Sequence, residues 1–572
     1  MSKPKLALIP SGYKSGKVYS ILPNDATGDF DFTRQSIGTR VRKDGLIEEA
    51  KTSGSITNVL LYSEDYSQVN WAKTSVTVTT NQFLAPDGTN SADKLDFSSS
   101  TSARMAQVIN APAGNYTFSV YLRSVSGSGD FRIRLQSGGG INLTVSLTEQ
   151  WQRFDLEYYH SGGASLIPYI GYYIDASYIQ EVYSWGAMVS EGALSDYIKT
   201  EGTTETKTVE TFTDVPRLDW YNSNCPSLLL EPQRSNFFTY SENASQWTSI
   251  RGTTTNNNIV APNGELVGNL YEKTEDANEG YVYRNLSVSS VGTYSASLFF
   301  KYNNSQYAHF LLFDGSSNGA RAWFDIQNGV VGTTTTFGTT FTVSDLSIED
   351  YGNGWYKCSA KYVVTGTDTT WQFRVSPSGG NGITNSDSGA KVYFFGAQIE
   401  QGSYPTSYIK TEASTVTRLK DDCHLLNHTL FTDYPFTVYA KAKIEDVGNT
   451  IFSIYGGASN KYLAFLLSSS TQVAVYRRDA TNNDSDFYNF TYSVGDTIKV
   501  AVAFINDTTY KLYINGTEIA DVTSGLSIPF DHDDILLGQF RISADTGARN
   551  SIDDFRVYDY TLTDAELTEL TK

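Results

Sequence analysis

Gly114-Asn-Tyr-Thr-Phe-Ser-Val-Tyr-Leu122 decides the fold class. Tyr116, Phe118, Val120 and Leu122 alternate with Thr117, Ser119 and Tyr121. A period of two sends one set to a core and the other to the opposite face of a strand. The same stretch returns as Gly292-Thr-Tyr-Ser-Ala-Ser-Leu-Phe299. The repeat extends in both directions. Upstream, Asn58-Val-Leu-Leu-Tyr-Ser-Glu64 matches Asn236-Phe-Phe-Thr-Tyr-Ser-Glu242, Trp71 matches Trp247, and Ala85-Pro-Asp-Gly88 matches Ala261-Pro-Asn-Gly264. Downstream, Gly186-Ala187 with Glu191-Gly192 matches Gly396-Ala397 with Gln401-Gly402, and Tyr197-Ile-Lys-Thr-Glu201 returns as Tyr408-Ile-Lys-Thr-Glu412. Anchors kept in one order mark a duplicated unit. The second copy is longer, and its extra residues fall between the Ala-Pro anchor and the Gly-Ala anchor, where loop insertions cost little.

The rest of the chain is also β-rich. It has 572 residues, more than one hydrophobic core can organise, with 39 Tyr, 30 Phe and 46 Gly. Aromatic and β-branched residues suit pleated surfaces, and glycine suits the turns between them. Phe436-Thr-Val-Tyr-Ala-Lys-Ala-Lys-Ile444 alternates, and Tyr510-Lys-Leu-Tyr-Ile514 runs into Asn515-Gly516, a two-residue hairpin signal. Asp553 to Asp559 reads as a last strand, followed by a short helix capped by Thr563 with Glu566 three residues on. The expected fold is all-β, a set of tandem β-sandwiches. Residues 1–56 are read as an N-terminal attachment segment and 57–205 as a first jelly roll. Residues 206–235 are read as a connector, 236–417 as a second jelly roll and 418–572 as a third sandwich of another kind.

The formal net charge of −19 speaks against nucleic acid as a partner, because an acidic surface repels phosphates. Cys225, Cys358 and Cys423 are too few and too far apart for a disulfide framework or a zinc site. No apolar run is long enough to span a bilayer, and Leu6 to Ile9 is too short for a signal-peptide core. The expectation is therefore a protein with no membrane partner and no signal peptide, for which release by lysis is one way out of the cell that makes it. The most basic stretch holds Arg34, Arg40, Arg42 and Lys43, and it is read as a docking segment.

Certain stretches resemble a known family. Gly28-Asp-Phe-Asp-Phe-Thr-Arg34, Thr39-Arg-Val41, Asp44-Gly-Leu-Ile-Glu48, Val215-Pro-Arg-Leu-Asp219, Cys225 through Arg234, and Gly396 through Ile409 are similar to segments of phage virion fibre or decoration proteins. The order departs from that family in one respect: the unit at 57–205 stands between the basic opening and its continuation at 215. The duplicated units resemble carbohydrate-binding modules. Leu512-Tyr-Ile-Asn-Gly516, Asp554-Phe-Arg-Val-Tyr558 and Leu562-Thr-Asp-Ala-Glu-Leu567 resemble laminin-G/concanavalin A-like domains. The resemblance implies a structural protein on the virion surface of a tailed phage, docked to other virion proteins through its N-terminal segment. It also implies a homotrimer whose sandwiches contact host-surface or environmental glycans. The other reading is a polysaccharide-degrading enzyme with accessory binding modules.

No catalytic residue stands out. HExxH, GxSxG and phosphate-loop patterns are absent, and so is the paired-Glu strand of concanavalin A-like glycosidases. His424 and His428 have helical spacing in a region that reads as strand and turn. Calcium is the one cofactor with a candidate site, at Asp531, Asp533 and Asp534, because a tight loop with several carboxylates suits it. Asp484 and Asp486 form a weaker second candidate. Tyr455, Tyr462 and Tyr476 are candidate glycan platforms, as aromatic faces near amides or charges often are. Trp71, Trp151, Trp185, Trp247 and Trp355 sit near repeat anchors and read as core.

Overall fold

The computed structural model describes residues 3–192, 194–276, 278–288, 291–456, 461–478, 483–523, 534–539 and 549–572. The chain forms tandem antiparallel β-sandwiches divided into two compact units, Ser53–Thr211 on the one hand and Met1–Thr52 with Phe212–Lys572 on the other.

In the unit Ser53–Thr211, one five-stranded sheet runs in the order Gln152–His160, Gly114–Ser124, Glu181–Glu191, Ala92–Asp96, Thr77–Phe83. The facing sheet runs Gly139–Leu147, Gly129–Ser137, Ile167–Ile174, Ala103–Ala106, Ala72–Thr74. Phe118, Val120, Ile133, Leu135 and Ile170 are buried in the core between them, as the alternation requires. The second jelly roll repeats this strand order and adds Val330–Phe337 to one sheet and Phe341–Asp350 to the other. These consecutive strands are where the longer second copy places its additional residues.

The repeat anchors form one clasp, built twice. Asn58 Nδ2 donates to the carbonyls of Ala187 (3.2 Å) and Ile198 (2.8 Å), and its Oδ1 accepts from the amides of Leu60 and Val189. Asn236 does the same with Ala397 (3.2 Å), Ile409 (2.8 Å), Phe238 and Ile399. The Tyr197 hydroxyl donates to Glu64 (3.0 Å) and that of Tyr408 to Glu242 (3.1 Å). Lys199 pairs with Glu64, and Lys410 with Glu242. The indoles of Trp71 and Trp247 donate to the carbonyls of Tyr62 and Tyr240, both held at positive φ. These anchors therefore hold the sandwich closed, and Trp71, Trp185, Trp247 and Trp355 are buried while Trp151 is half-buried.

The third sandwich departs from the expected boundaries. Its eight-stranded sheet includes Arg217–Asp219 and Ser227–Leu230 from the expected connector, and Leu6–Leu8 from the expected attachment segment. Both Leu6–Leu8 and Ser227–Leu230 pair with the last strand, Asn550–Tyr558. The nine-stranded sheet opens with Tyr13–Lys14, Lys17–Val18 and Phe30–Thr33, the last pairing with Asp422–Leu425. Leu6, Leu8, Phe30 and Phe32 are fully buried in the same core as Phe436 and Phe555. Residues 418–572 lack these edge strands and the apolar side chains they carry, so the sandwich is completed by distant parts of the chain. The Asn515-Gly516 turn has φ of 48° and 80°, and the Thr563 to Glu566 capping box is formed in both directions.

The same connections bury an ionic cluster. Arg34 Nη1 meets Asp421 Oδ1 at 2.8 Å, and Arg217 bonds both Asp421 and Glu231 Oε2, the latter at 2.5 Å. Arg418 Nη1 lies 2.7 Å from Glu231 Oε2, and Arg549 Nε 3.4 Å from Glu231 Oε1. Ser407 donates to Glu231 through both its amide (2.8 Å) and its hydroxyl (2.6 Å). Burial alone would raise the Glu231 carboxyl, but Arg418, Arg217 and Arg549 outweigh it and hold the group well below the usual carboxylate range. Burial, opposed by Asp421, brings the Arg34 guanidinium down to about 10, still charged at neutral pH. The remaining basic residues are also engaged within the chain: Arg40 with Glu48, Arg42 with Asp44, and Lys43 over the Trp220 ring. The charge that read as a docking patch is largely neutralised internally.

Two outcomes follow from this packing. Leu6→Ala and Leu8→Ala are each expected to destabilise the unit by about 2–5 kcal/mol, read by denaturant unfolding, whereas a free attachment segment would tolerate both. Asp421→Ala leaves Arg34 and Arg217 facing each other without a shared counter-ion, and is expected to cost about 3–5 kcal/mol in the same measurement.

Candidate functional site

The unit Ser53–Thr211 presents one outer sheet face that differs from an ordinary solvated surface. In Gly129–Ser137, Phe131, Ile133 and Leu135 point inward, so Arg132, Arg134 and Gln136 point outward. On the neighbouring strand, Ile167–Ile174, the register against Ala103–Ala106 shifts twice: Met105 faces Ile170, Arg104 faces Tyr172, and Ala103 faces Ile174. Gly171 and Tyr173 are the extra residues. Gly171 has φ +69°, and a Cβ there would collide with the Phe97 ring. Tyr173 adopts φ 52°, an uncommon conformation for a bulky side chain. The bulges leave Tyr172 and Tyr173 packed ring to ring, with centroids 4.5 Å apart, and Tyr173 is 42 % exposed.

The tyrosines hold the arginines. Arg134 lies over the Tyr172 ring at 4.6 Å, Arg132 over Tyr178 at 4.6 Å and Arg104 over Tyr173 at 5.4 Å. Tyr169 packs edge-on against Tyr172 at 4.9 Å. Polar contacts fix the guanidiniums further. Arg134 donates to Gln136 Oε1 (3.2 Å) and Asn142 Oδ1 (2.8 Å), Arg132 to the Tyr178 hydroxyl and the Tyr172 carbonyl, and Arg104 to the Ser102 carbonyl. None of these arginines forms a salt bridge among the described residues. Asp130, at the end of the same strand, accepts from Ser146, and Asp175 is held below the usual carboxylate range by Ser177 first, with Arg132 a minor contributor. The face thus offers unspent N–H donors, phenol hydroxyls and the Asn142 amide, and its acceptors are few.

The corresponding sheet of the second jelly roll is built otherwise. There Glu279 bridges His309 (3.0 Å) and Arg321 (2.6 Å), and the Trp323 indole donates to the Ile383 carbonyl and is buried. Arg374 lies between Tyr281 (4.5 Å) and Phe313 (4.4 Å). An internal carboxylate thus pairs with one of the arginines of this face.

The sites expected from the sequence stand elsewhere. Tyr455, Tyr462 and Tyr476 do share the outer face of the nine-stranded sheet, Tyr455 opposite Tyr462 and the Tyr462 and Tyr476 rings 5.8 Å apart. Tyr462, however, is 1 % exposed, packed under Tyr476 and Arg478, so it offers no platform. Asp531 and Asp533 lie outside the described residues. Asp534 is buried and accepts the Asn427 amide (2.9 Å). Asp486 accepts from the Tyr510 hydroxyl (2.5 Å) and faces Arg477. The side chain of Asp484 is outside the described residues. His424 bonds Asp422. Among the described residues no three His, Cys, Asp or Glu side chains stand together as metal ligands. Cys358 and Cys423 are buried and Cys225 is exposed, all as free thiols. A cavity of about 750 Å³ beside the ionic cluster is lined by Lys357, Lys441 and Arg549 together with Asp219, Glu349 and Glu445. The sequence did carry a signal for the Tyr/Arg face: Phe131-Arg-Ile-Arg-Leu-Gln136 alternates apolar with basic, and Tyr169-Ile-Gly-Tyr-Tyr173 concentrates tyrosine around a glycine.

Comparison with known proteins agrees with the fold. Residues 419–568 match the Laminin_G_3 family, described as the concanavalin A-like lectin/glucanases superfamily. No curated protein matches the chain in sequence. Similar solved structures include the CBM22-1-CBM22-2 tandem domain of Paenibacillus barcinonensis Xyn10C, at 13 % identity over 60 % of this chain and 97 % of that one, with a TM-score of 0.27. The Ruminococcus gnavus IT-sialidase CBM40 bound to alpha2,3 sialyllactose is 18 % identical over 25 % of this chain and 84 % of its own, with a TM-score of 0.23. Domain 4 of AbnA, a GH43 extracellular arabinanase from Geobacillus stearothermophilus in complex with arabinotriose, is 17 % identical over 29 % and 81 %, also at 0.23.

Gly171→Ala is expected to destabilise the unit Ser53–Thr211 by at least about 2 kcal/mol, because the bulge that presents Tyr172 and Tyr173 admits no Cβ. Calorimetry against the parent chain measures it.

Proposed function

We propose that this chain is a non-enzymatic glycan-binding protein carried on the surface of a phage particle as a fibre or decoration. The observation that carries the binding reading is the outer face of Arg104, Arg132, Arg134, Tyr169, Tyr172 and Tyr173, pre-organised by ring packing on a rigid sheet. Its donors match the dense oxygen acceptors of a saccharide. The placement on a virion is supported by the motifs at 28–48, 215–234 and 396–409. A weak single site suits that setting, because many copies on one particle raise avidity without new contacts. The mechanism is attachment alone: the saccharide lies across adjacent strands, exchanges water for fixed donors, and leaves unchanged.

Glycan arrays and affinity electrophoresis with the full chain test the binding. Tyr172→Ala combined with Tyr173→Ala is expected to weaken it at least about tenfold with an unchanged far-ultraviolet spectrum. Tyr476→Ala, on the rival face, is expected to leave it unaltered. Imaging of purified particles tests the location, and a chain found only free in the lysate sinks the virion half of the proposal.

A further inference from the structure

We infer that the Tyr/Arg face of the unit Ser53–Thr211 selects carboxylate-bearing polysaccharides, with Arg132 and Arg134 as the primary anion contacts and Arg104 as a further one. The inference rests on the glycan-binding reading of that face and goes on to the chemistry of the ligand.

Charge is the first argument. The chain carries −19 overall, yet here three arginines stand on two strands of one sheet face with no carboxylate bonded to any of them among the described residues. Several other arginines take an acid, Arg40 with Glu48, Arg321 with Glu279 and Arg556 with Asp554, whereas Arg284 and Arg374 of the second jelly roll lie over single rings or ring pairs as these do; what sets this face apart is that three such arginines share it. Arg132 and Arg134 lie two residues apart on one strand, about 7 Å along it, and Arg104 lies on the strand beyond Ile167–Ile174, about 10 Å across. Like charges at these distances repel, and a bound polyanion relieves them.

Geometry is the second argument. A guanidinium stacked on a phenol ring keeps its N–H edge outward, and that edge matches a carboxylate with two parallel bonds. Gln136 and Asn142 each accept from Arg134, which fixes its plane and leaves their amide nitrogens toward a ligand's hydroxyls. The rings of Tyr172 and Tyr173 are each covered by a guanidinium, which disfavours base stacking and sets a uronate or sialate chain ahead of a single-stranded nucleic acid. In the second jelly roll Glu279 occupies the place of such an anion between His309 and Arg321, so the duplicate supplies internally the charge that this face lacks.

Affinity electrophoresis of the full chain decides the matter, using polygalacturonate, alginate, hyaluronan and polysialic acid, with methyl-esterified polygalacturonate, dextran and galactan as uncharged counterparts. Retention on at least one carboxylated polymer is expected, lost when its carboxyls are esterified and weakened by salt. Arg132→Gln and Arg134→Gln are each expected to weaken it about tenfold at an unchanged melting temperature, and Arg134→Lys to restore only part. Retention on the neutral polymers alone, or binding that ignores both arginine substitutions yet fails in the Tyr172→Ala variant, overturns the charge selection and leaves the glycan reading standing. Equal displacement by a single-stranded oligonucleotide overturns carboxylate selectivity in favour of a general polyanion site. A chain that holds no polymer of either kind sinks both readings.

Discussion

Glu231 and Asp421 sit where the larger unit is tied together. Between them they receive Arg34 from the opening of the chain, Arg217 from the stretch that follows the inserted jelly roll, Arg418 from the exit of the second jelly roll, and Arg549 from just before the last strand. None of these charges can be left buried alone, since the desolvation of an unpaired ion costs several kcal/mol. The cluster therefore forms only when segments hundreds of residues apart have come together. The strands Leu6–Leu8, Phe30–Thr33 and Ser227–Leu230 of the third sandwich lie on the same connections that bring in the arginines. A buried salt-bridge network is weak evidence for stability, but it specifies which segments meet.

The duplication separates what holds the fold from what the fold displays. The Asn58 and Asn236 side chains make the same bonds with nearly the same lengths, as do the Tyr197 and Tyr408 hydroxyls. These groups are buried polar atoms, and an unsatisfied one would cost more than the bond contributes. The outer sheet faces have no such constraint, and the copies diverge there. One carries Arg104, Arg132 and Arg134 over tyrosine rings with no carboxylate bonded to them among the described residues. The other encloses Glu279 and buries Trp323. A scaffold held by its clasp can change its outer side chains one at a time, as binding modules generally do.

The Tyr/Arg face is displayed by a sheet rather than by a loop. A strand fixes its side chains at a regular spacing, and the two bulges, at Gly171 and at Tyr173, break that spacing and bring the Tyr172 and Tyr173 rings together. The strain at Tyr173 is carried by the surrounding pairing, and it purchases a set of donors that needs no rearrangement when an acceptor arrives.

By itself the sequence determined the fold class, the duplicated unit, the Asn515-Gly516 hairpin and the capped terminal helix, because alternation, turn residues and caps act over a few residues and leave a local trace. It also showed the clasp as a repeat, though not that the anchors touch. Only the tertiary structure decided where the third sandwich obtains its edge strands: Leu6–Leu8 and Ser227–Leu230 meet Asn550–Tyr558 across most of the chain, and strand pairing leaves no mark on sequence that names the partner. The candidate site divides in the same way. Phe131 to Gln136 announces an outward row of arginines, and Tyr169 to Tyr173 a cluster of rings. That the rows lie side by side, that a bulge turns Tyr173 outward and that no acid joins them depend on register and on distant neighbours. Tyr462 fails as a platform for the same reason, since its burial is fixed by what packs over it and not by the residues on either side.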